Sequence, residues 1–165
     1  MYGLLSAISY DGINFVPEND ISLEINQVFP FKNMIMSFDT QSEIACIFED
    51  KTATDSARYK MLITRVRWVD VAVTGLLFSS EDLINWKESG VWSNDGEPLV
   101  GVFYNKKKNC HTIIKRPGWG VRLIGYTETT DFKSFSDYSL CLQQDSMDAP
   151  LEELYGMPSF EYDGI

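Results

Sequence analysis

The sequence predicts an all-β protein built from repeated four-stranded antiparallel meanders, the unit of a β-propeller. Three observations carry this expectation. Ser9-Tyr10-Asp11-Gly12-Ile13-Asn14-Phe15 is matched by Ser80-Glu81-Asp82-Leu83-Ile84-Asn85-Trp86, and more loosely by Thr129-Thr130-Asp131-Phe132-Lys133-Ser134-Phe135. Self-similarity at a long interval marks a repeat architecture. Short apolar runs separated by turn residues follow one another along the chain, with almost no helical periodicity. Aromatic residues make up 13% of the chain, and large flat side chains suit the pleated, half-buried surface of a sheet.

Taken in order, Gly3–Ser9 is a strand that leads into the first Asp turn. There the Asp carboxylate can accept N–H groups two residues on, and the aromatic four residues later opens the returning strand. The stretch around Pro30–Asp39 reads as a loop. Glu43–Phe48 is a short apolar run suited to a strand buried on both faces, and Asp50–Ala57 is a polar connection. Arg58–Val66, Val71–Ser79 and, after the second Asp turn, Trp86–Val91 complete a meander. The order then restarts with Leu99–Tyr104, the charged turn Asn105–Asn109, and His111–Arg116. Pro117-Gly118-Trp119-Gly120, Val121–Thr127, the third Asp turn and Ser139–Leu142 follow. A new apolar run starts at Tyr155.

The approximate units are 1–30, 31–92, 93–145 and 146–165. Only two are full meanders, and a propeller needs about four or more blades to close. The expectation is therefore a partial propeller on a chain that reads as truncated, or one that closes by self-association.

Composition narrows the function classes. The 165 residues suffice for one domain with a sizeable core. Fourteen basic against 24 acidic residues give a formal net charge of −10, which argues against nucleic acid and against anionic membrane as partners, because both demand cationic surface. Cys46, Cys110 and Cys141 are too few and too far apart for a disulfide framework or a zinc site, and their apolar surroundings predict buried thiols. The one histidine, His111, lies inside a strand run and reads as structural. No metal or cofactor is expected. No stretch reaches the roughly 20 apolar residues of a membrane span. Met1–Leu5 lacks a basic leader segment, so the chain reads as cytoplasmic.

In propellers, ligands bind at the mouth where the first strand of each blade begins. Asp39 precedes one such strand and Asp95 the next. The same offset from the final run points to Glu152 or Glu153. Carboxylates converging on a pocket are what glycosidic cleavage uses, one protonating the leaving oxygen while another activates water or attacks the sugar. Asp39 is assigned as base or nucleophile, Asp95 as the group that orients and tunes the acid, and Glu153 as the acid. Trp68, Trp92, Trp119 and Tyr155 are candidate platforms for sugar rings. Arg58, Arg116 and Arg122 are candidates for holding substrate hydroxyls or carboxylates, or for clamping adjacent sheets through an Asp.

Ala57-Arg58-Tyr59-Lys60-Met61, the Asp-turn repeats, the Arg116–Arg122 stretch, Leu154-Tyr155-Gly156-Met157-Pro158 and Tyr162-Asp163-Gly164 together resemble bacterial five-bladed β-propeller proteins of the glycosidase type. That family is distantly similar to invertase-like and arabinanase-like enzymes. The resemblance covers nearly the whole chain and implies a five-bladed propeller with a carbohydrate ligand. The invertase-like motifs Asn-Asp-Pro, Arg-Asp-Pro and Glu-Cys are absent. Gly156 stands where arabinanase-like enzymes place an acid, so the acid role passes to Glu153. The alternative functions are a non-catalytic carbohydrate-binding propeller and a protein-interaction propeller.

Overall fold

A computed structural model describes residues 2–18, 33–38, 42–67, 72–93, 98–116, 123–149, 153–154 and 156–160. Every element among them is a strand. They are β1 (Tyr2–Leu5), β2 (Ala7–Ile8), β3 (Val16–Pro17), β4 (Met34–Phe38), β5 (Ser42–Glu49), β6 (Tyr59–Arg67), β7 (Ala72–Ser80), β8 (Lys87–Ser93), β9 (Pro98–Asn105), β10 (Cys110–Lys115), β11 (Ile124–Thr129) and β12 (Ser139–Leu142). Two four-stranded antiparallel meanders, β5-β6-β7-β8 and β9-β10-β11-β12, are the main bodies. Before them, β2 pairs with β3 and β1 pairs with β4.

The three repeats of the heptad close the three hairpins β2–β3, β7–β8 and β11–β12. Each is locked by the same bonds. The Ser80 hydroxyl accepts the Leu83 N–H at 3.0 Å, and Asp82 Oδ1 accepts the Ile84 and Asn85 N–H groups at 2.9 and 2.7 Å. Ser9 and Asp11 do the same for Gly12, Ile13 and Asn14, as do Thr129 and Asp131 for Phe132, Lys133 and Ser134. The residue after the Asp takes a positive φ in all three turns: 72° at Gly12, 68° at Leu83 and 55° at Phe132. Only the first copy fills that left-handed position with the residue it favours. In the third copy the strand resumes at Ser139 and not at Phe135.

The stretch around Pro30–Asp39 holds a strand, β4, whose Met34–Phe38 pairs with β1 in antiparallel register, Tyr2 opposite Phe38. Its apolar sequence and position beside an unpaired edge outweigh the loop signals around it.

The sheets stack face to face, and strand alternation sorts the side chains. On the β5–β8 sheet, Met61, Ile63, Leu76 and Phe78 turn toward the first strands and bury Phe38, with Leu4, Met36 and Trp86 packed at the edge. Leu62 and Leu77 turn the other way and meet Ile113 and Phe132 of the β9–β12 sheet. Fully burying side chains of this size contributes about 1.5–3 kcal/mol each. Trp86 thus joins the cluster between the first strands and the second sheet, and Phe132 and Phe135 join the one between the second and third sheets, where the Phe132 ring lies 5.7 Å from that of Phe48. On the far face of the third sheet Ser159 lies against Gly101 so closely that a side chain at Gly101 could not fit. Segment 156–160 carries no strand among its described residues.

Trp92 belongs to the core. It is 3% exposed and is the extra residue of a β-bulge, since Gly75 pairs with Ser93 and Leu76 with Val91. The bulge lays its ring over Gly75, so its expected role as a sugar platform does not hold. Of the cysteines, Cys110 is buried and Cys46 half-buried, with burial pushing the Cys46 thiol up to about 12. Cys141 is exposed, contrary to expectation. It is the extra residue of a bulge on the edge strand β12.

Candidate ligand cleft

A cleft of about 900 Å³ opens between the second and third sheets. Its walls are the β5–β6 loop from Asp50 to Ala57, the β7–β8 turn with Lys87, Glu88 and Ser89, and the third Asp turn from Thr130 to Lys133. Lys60, Leu77, Ser79 and Phe132 form its floor side. Ser56 of the loop donates to Glu81 of the second turn at 2.5 Å, fastening one rim.

The floor is polar because β6 and β7 place Lys60 and Ser79 opposite each other at the strand ends. Lys60 is 9% exposed. Its ammonium donates to the Ala57 carbonyl at 2.8 Å and to Ser79 Oγ at 3.4 Å. Ser89, the extra residue of a second bulge in β8, donates to the Leu77 carbonyl at 3.2 Å and lies 2.9 Å from Ser79 Oγ. Asp50 accepts the Thr52 N–H and hydroxyl at 3.0 and 2.7 Å, and its Oδ1 lies 3.3 Å from His111 Nε2. The His111 ring sits between Phe132 and Tyr104, with centroids 4.6 and 5.0 Å away.

Two of the carboxylates on the cleft walls are held in the ionised form. N–H groups of Asn85 and Ile84 hold Asp82 far below the ordinary carboxylate range, with the Asn85 amide adding to the effect. The Ser134 and Lys133 N–H groups lower Asp131 in the same way. Both stay ionised at neutral pH, and neither can supply a proton to a leaving oxygen. Among the described residues no group of three His, Cys, Asp or Glu side chains is placed to hold a metal ion.

The cleft lies at the end of the sheets where β5 runs into β6 and β7 into β8. The sequence pointed to the other end, where β5 and β9 begin. Of the residues expected there, Asp39, Asp95, Arg122, Trp119 and Tyr155 lie outside the described residues, as do Trp68 and Glu152. Glu153 is described and exposed, and Arg116 is buried just after β10. Arg58 is exposed. It pairs with Glu49 at 3.4 Å and donates to the Tyr59 hydroxyl at 3.0 Å, both neighbours on its own sheet. Among the described residues Arg58 makes no inter-sheet Arg–Asp clamp, and Asp50 and His111 form an ion-pair-distance contact between the sheets. Lys60, Ser79, Ser89 and Asp50 were missed as a cluster. The available signal was the strand alternation that puts Lys60 on the face of Leu62, next to a loop opening on an Asp.

No family model, curated protein or solved structure matches this chain. Its class is therefore defined by its own architecture: an all-β protein of stacked four-stranded antiparallel sheets whose last hairpins are closed by a repeated Asp turn.

Proposed function

We propose that this chain is a propeller-type module of the glycosidase-like kind that binds oligosaccharide without cleaving it, with the cleft between the second and third sheets as its site. The observation that carries the reading is the lining of that cleft. Hydroxyls of Thr52, Ser79 and Ser89, the ammonium groups of Lys60 and Lys87, and the Glu88 carboxylate offer donors and acceptors side by side. Such a mixture suits the hydroxyls of a neutral sugar. The surplus of carboxylates over ammonium groups on the walls disfavours a phosphorylated or otherwise anionic ligand.

The test is titration of neutral oligosaccharides by calorimetry, with release of reducing sugar followed in parallel. Binding without turnover is expected. Lys87→Ala and Glu88→Ala, both at exposed positions, should weaken binding and leave the fold intact. Turnover that disappears in Asp39→Asn would replace this reading with hydrolysis by Asp39, Asp95 and Glu153. A chain that neither binds nor cleaves any sugar would leave protein interaction as its function.

A further inference from the structure

Strands β3 and β4 run in line along one and the same edge of β1 and β2. Ser6, between the two pairings, fixes this. Its carbonyl accepts the Glu18 N–H at 3.3 Å, just after β3, and its N–H donates to the Asn33 carbonyl at 2.9 Å, just before β4. A strand residue turns its N–H and C=O to one edge, and its neighbours turn theirs to the other. Leu5 and Ala7 therefore direct their backbone groups away from β3 and β4, to an edge that carries no strand among the described residues. Both residues are exposed, Leu5 at 46%.

The internal repeat shows what such an edge pairs with. Aligned on the Asp turns, Leu5 and Ala7 correspond to Leu76 and Phe78 of β7, which pair with Ile63 and Met61 of β6. In the third sheet they correspond to Gly125 and Thr127 of β11, which pair with Lys115 and Ile113 of β10. In both later sheets the strand before the Asp turn thus has an antiparallel neighbour on each edge. The first sheet has one on a single edge among the described residues.

The open edge suits a second copy of itself. Tyr2–Ser9 carries no charged side chain, in a chain of net charge −10. It also lacks the proline or charge that blunts exposed edges in other proteins. The outer strand β8, by contrast, carries Lys87 and Glu88, and β12 is bulged at Cys141. A two-fold axis presents the second β1 antiparallel, the direction that β6 and β10 take in their own sheets. With the axis at Ser6, Leu5 of each copy lies opposite Ala7 of the other, and the backbone groups left open in one copy meet those of its partner. Leu4 packs toward the second sheet, so Leu5 turns its side chain the other way, and the pairing covers it.

We infer that two copies of this chain join edge to edge through β1 and β2, in antiparallel register about Ser6, as one continuous sheet across a two-fold axis. The contact is isologous, so it closes at a pair. The Glu18 carboxylate, held by the Ser6 hydroxyl at 2.6 Å, lies near the axis in each copy. Moderate salt screens this repulsion and favours the pair.

Sedimentation and amide hydrogen exchange of the whole chain, from micromolar to millimolar concentration in moderate salt, test the proposal. The mass should rise from the 18.8 kDa of one chain to that of a pair and stop there. The Leu5 and Ala7 amides should gain protection over the same range. Leu5→Lys, which sets a charge at the seam, should sediment as a single chain at every concentration with an unchanged circular dichroism spectrum. Leu142→Lys, on the uncharged edge strand β12, should pair like wild type. Three outcomes overturn the proposal: a chain that stays single throughout, pairing that survives Leu5→Lys and is lost in Leu142→Lys, or Leu5 and Ala7 amides equally protected at every dilution.

Discussion

His111 Nε2 lies 3.3 Å from Asp50 Oδ1, and the two side chains are only 4% and 6% exposed. They come from different sheets, His111 from β10 and Asp50 from the residue just after β5, so their contact ties the second sheet to the third at the base of the cleft. Burial pushes the imidazole below its ordinary value of 6.5, Asp50 pulls it up, and Lys60 pushes it down again. The net direction is down, and the ring is neutral at pH 7.

Removing the ring should cost more than neutralising its partner. His111→Ala removes a buried ring packed against Phe132 and Tyr104 together with a hydrogen-bond donor to Asp50, and truncating a buried ring of this kind costs about 3–5 kcal/mol. Asp50→Asn keeps an acceptor near the ring and toward Thr52, and should cost about 1–3 kcal/mol. Urea unfolding of both variants checks the order. An Asp50→Asn loss equal to or above that of His111→Ala would contradict it.

The same pair sets a pH dependence. With the folded pKa below 6.5, the unfolded chain takes up the proton first as pH falls. Stability is therefore held above the unfolded value and lost on acidification, between that value and the folded one. Urea midpoints from pH 8 to pH 5 should fall in this window, and His111→Phe should flatten the fall. As the chain has a single histidine, its imidazole NMR titration is unambiguous, and a midpoint at or above 6.5 would refute the assignment.

The Asp turns give a second, more acidic window. Asp11, Asp82 and Asp131 are all lowered, each first by backbone N–H bonds. Their stabilisation is complete above the unfolded carboxylate value and is lost as pH falls below it toward the folded one. Asp82→Ala should lower the thermal midpoint at pH 7. The gap between wild type and variant should close as pH drops through the carboxylate range; a gap that widens would count against the turn bonds as the cause.

Gly75→Ala should destabilise the second sheet. A Cβ at Gly75 would lie 2.5 Å from Cε2 of Trp92, whose ring is held there by the bulge. Overpacking of this type costs about 1–3 kcal/mol. Combining Gly75→Ala with Trp92→Phe, which shrinks the ring, should recover part of the loss in a double-mutant cycle.

Substitution by glycine after the turn Asp should have opposite consequences in two copies. Leu83 has φ 68° and is 42% exposed. Leu83→Gly relieves a left-handed strain of about 1–2 kcal/mol, against an unfolded-state entropy cost of about 0.5–1 kcal/mol, so stability should hold or rise slightly. Phe132 has the same backbone but is buried in the inter-sheet core, and Phe132→Gly should cost about 3–5 kcal/mol. Calorimetric melting of the two variants reads the difference directly.

Most of the strands were legible in the sequence because strand runs are local signals. The heptad announced its own bonds: Ser or Thr, Asp two residues later and an aromatic at the end are enough to specify the turn, and all three copies make it. Strand β4 was missed because its partner β1 lies far away in the chain, and pairing over that separation leaves no local signature. Trp92 was misread because a bulge, which shifts a side chain between faces, cannot be located by alternation alone. The Lys60, Ser79 and Ser89 floor was missed for a related reason. Its members come from three strands and meet only once the register is set, including the bulge that inserts Ser89.

The sequence by itself determined that the chain is all-β, where most of its strands run, and how its three Asp turns close, since each depends on neighbours within a few residues. Tertiary structure alone decided which sheet faces meet, that His111 reaches Asp50 across two sheets, and that Trp92 fills the core. It also decided that a cleft opens at the hairpin end of the sheets while Phe15 remains exposed. Those outcomes depend on register and stacking, which are set by burying apolar faces from distant parts of the chain against one another.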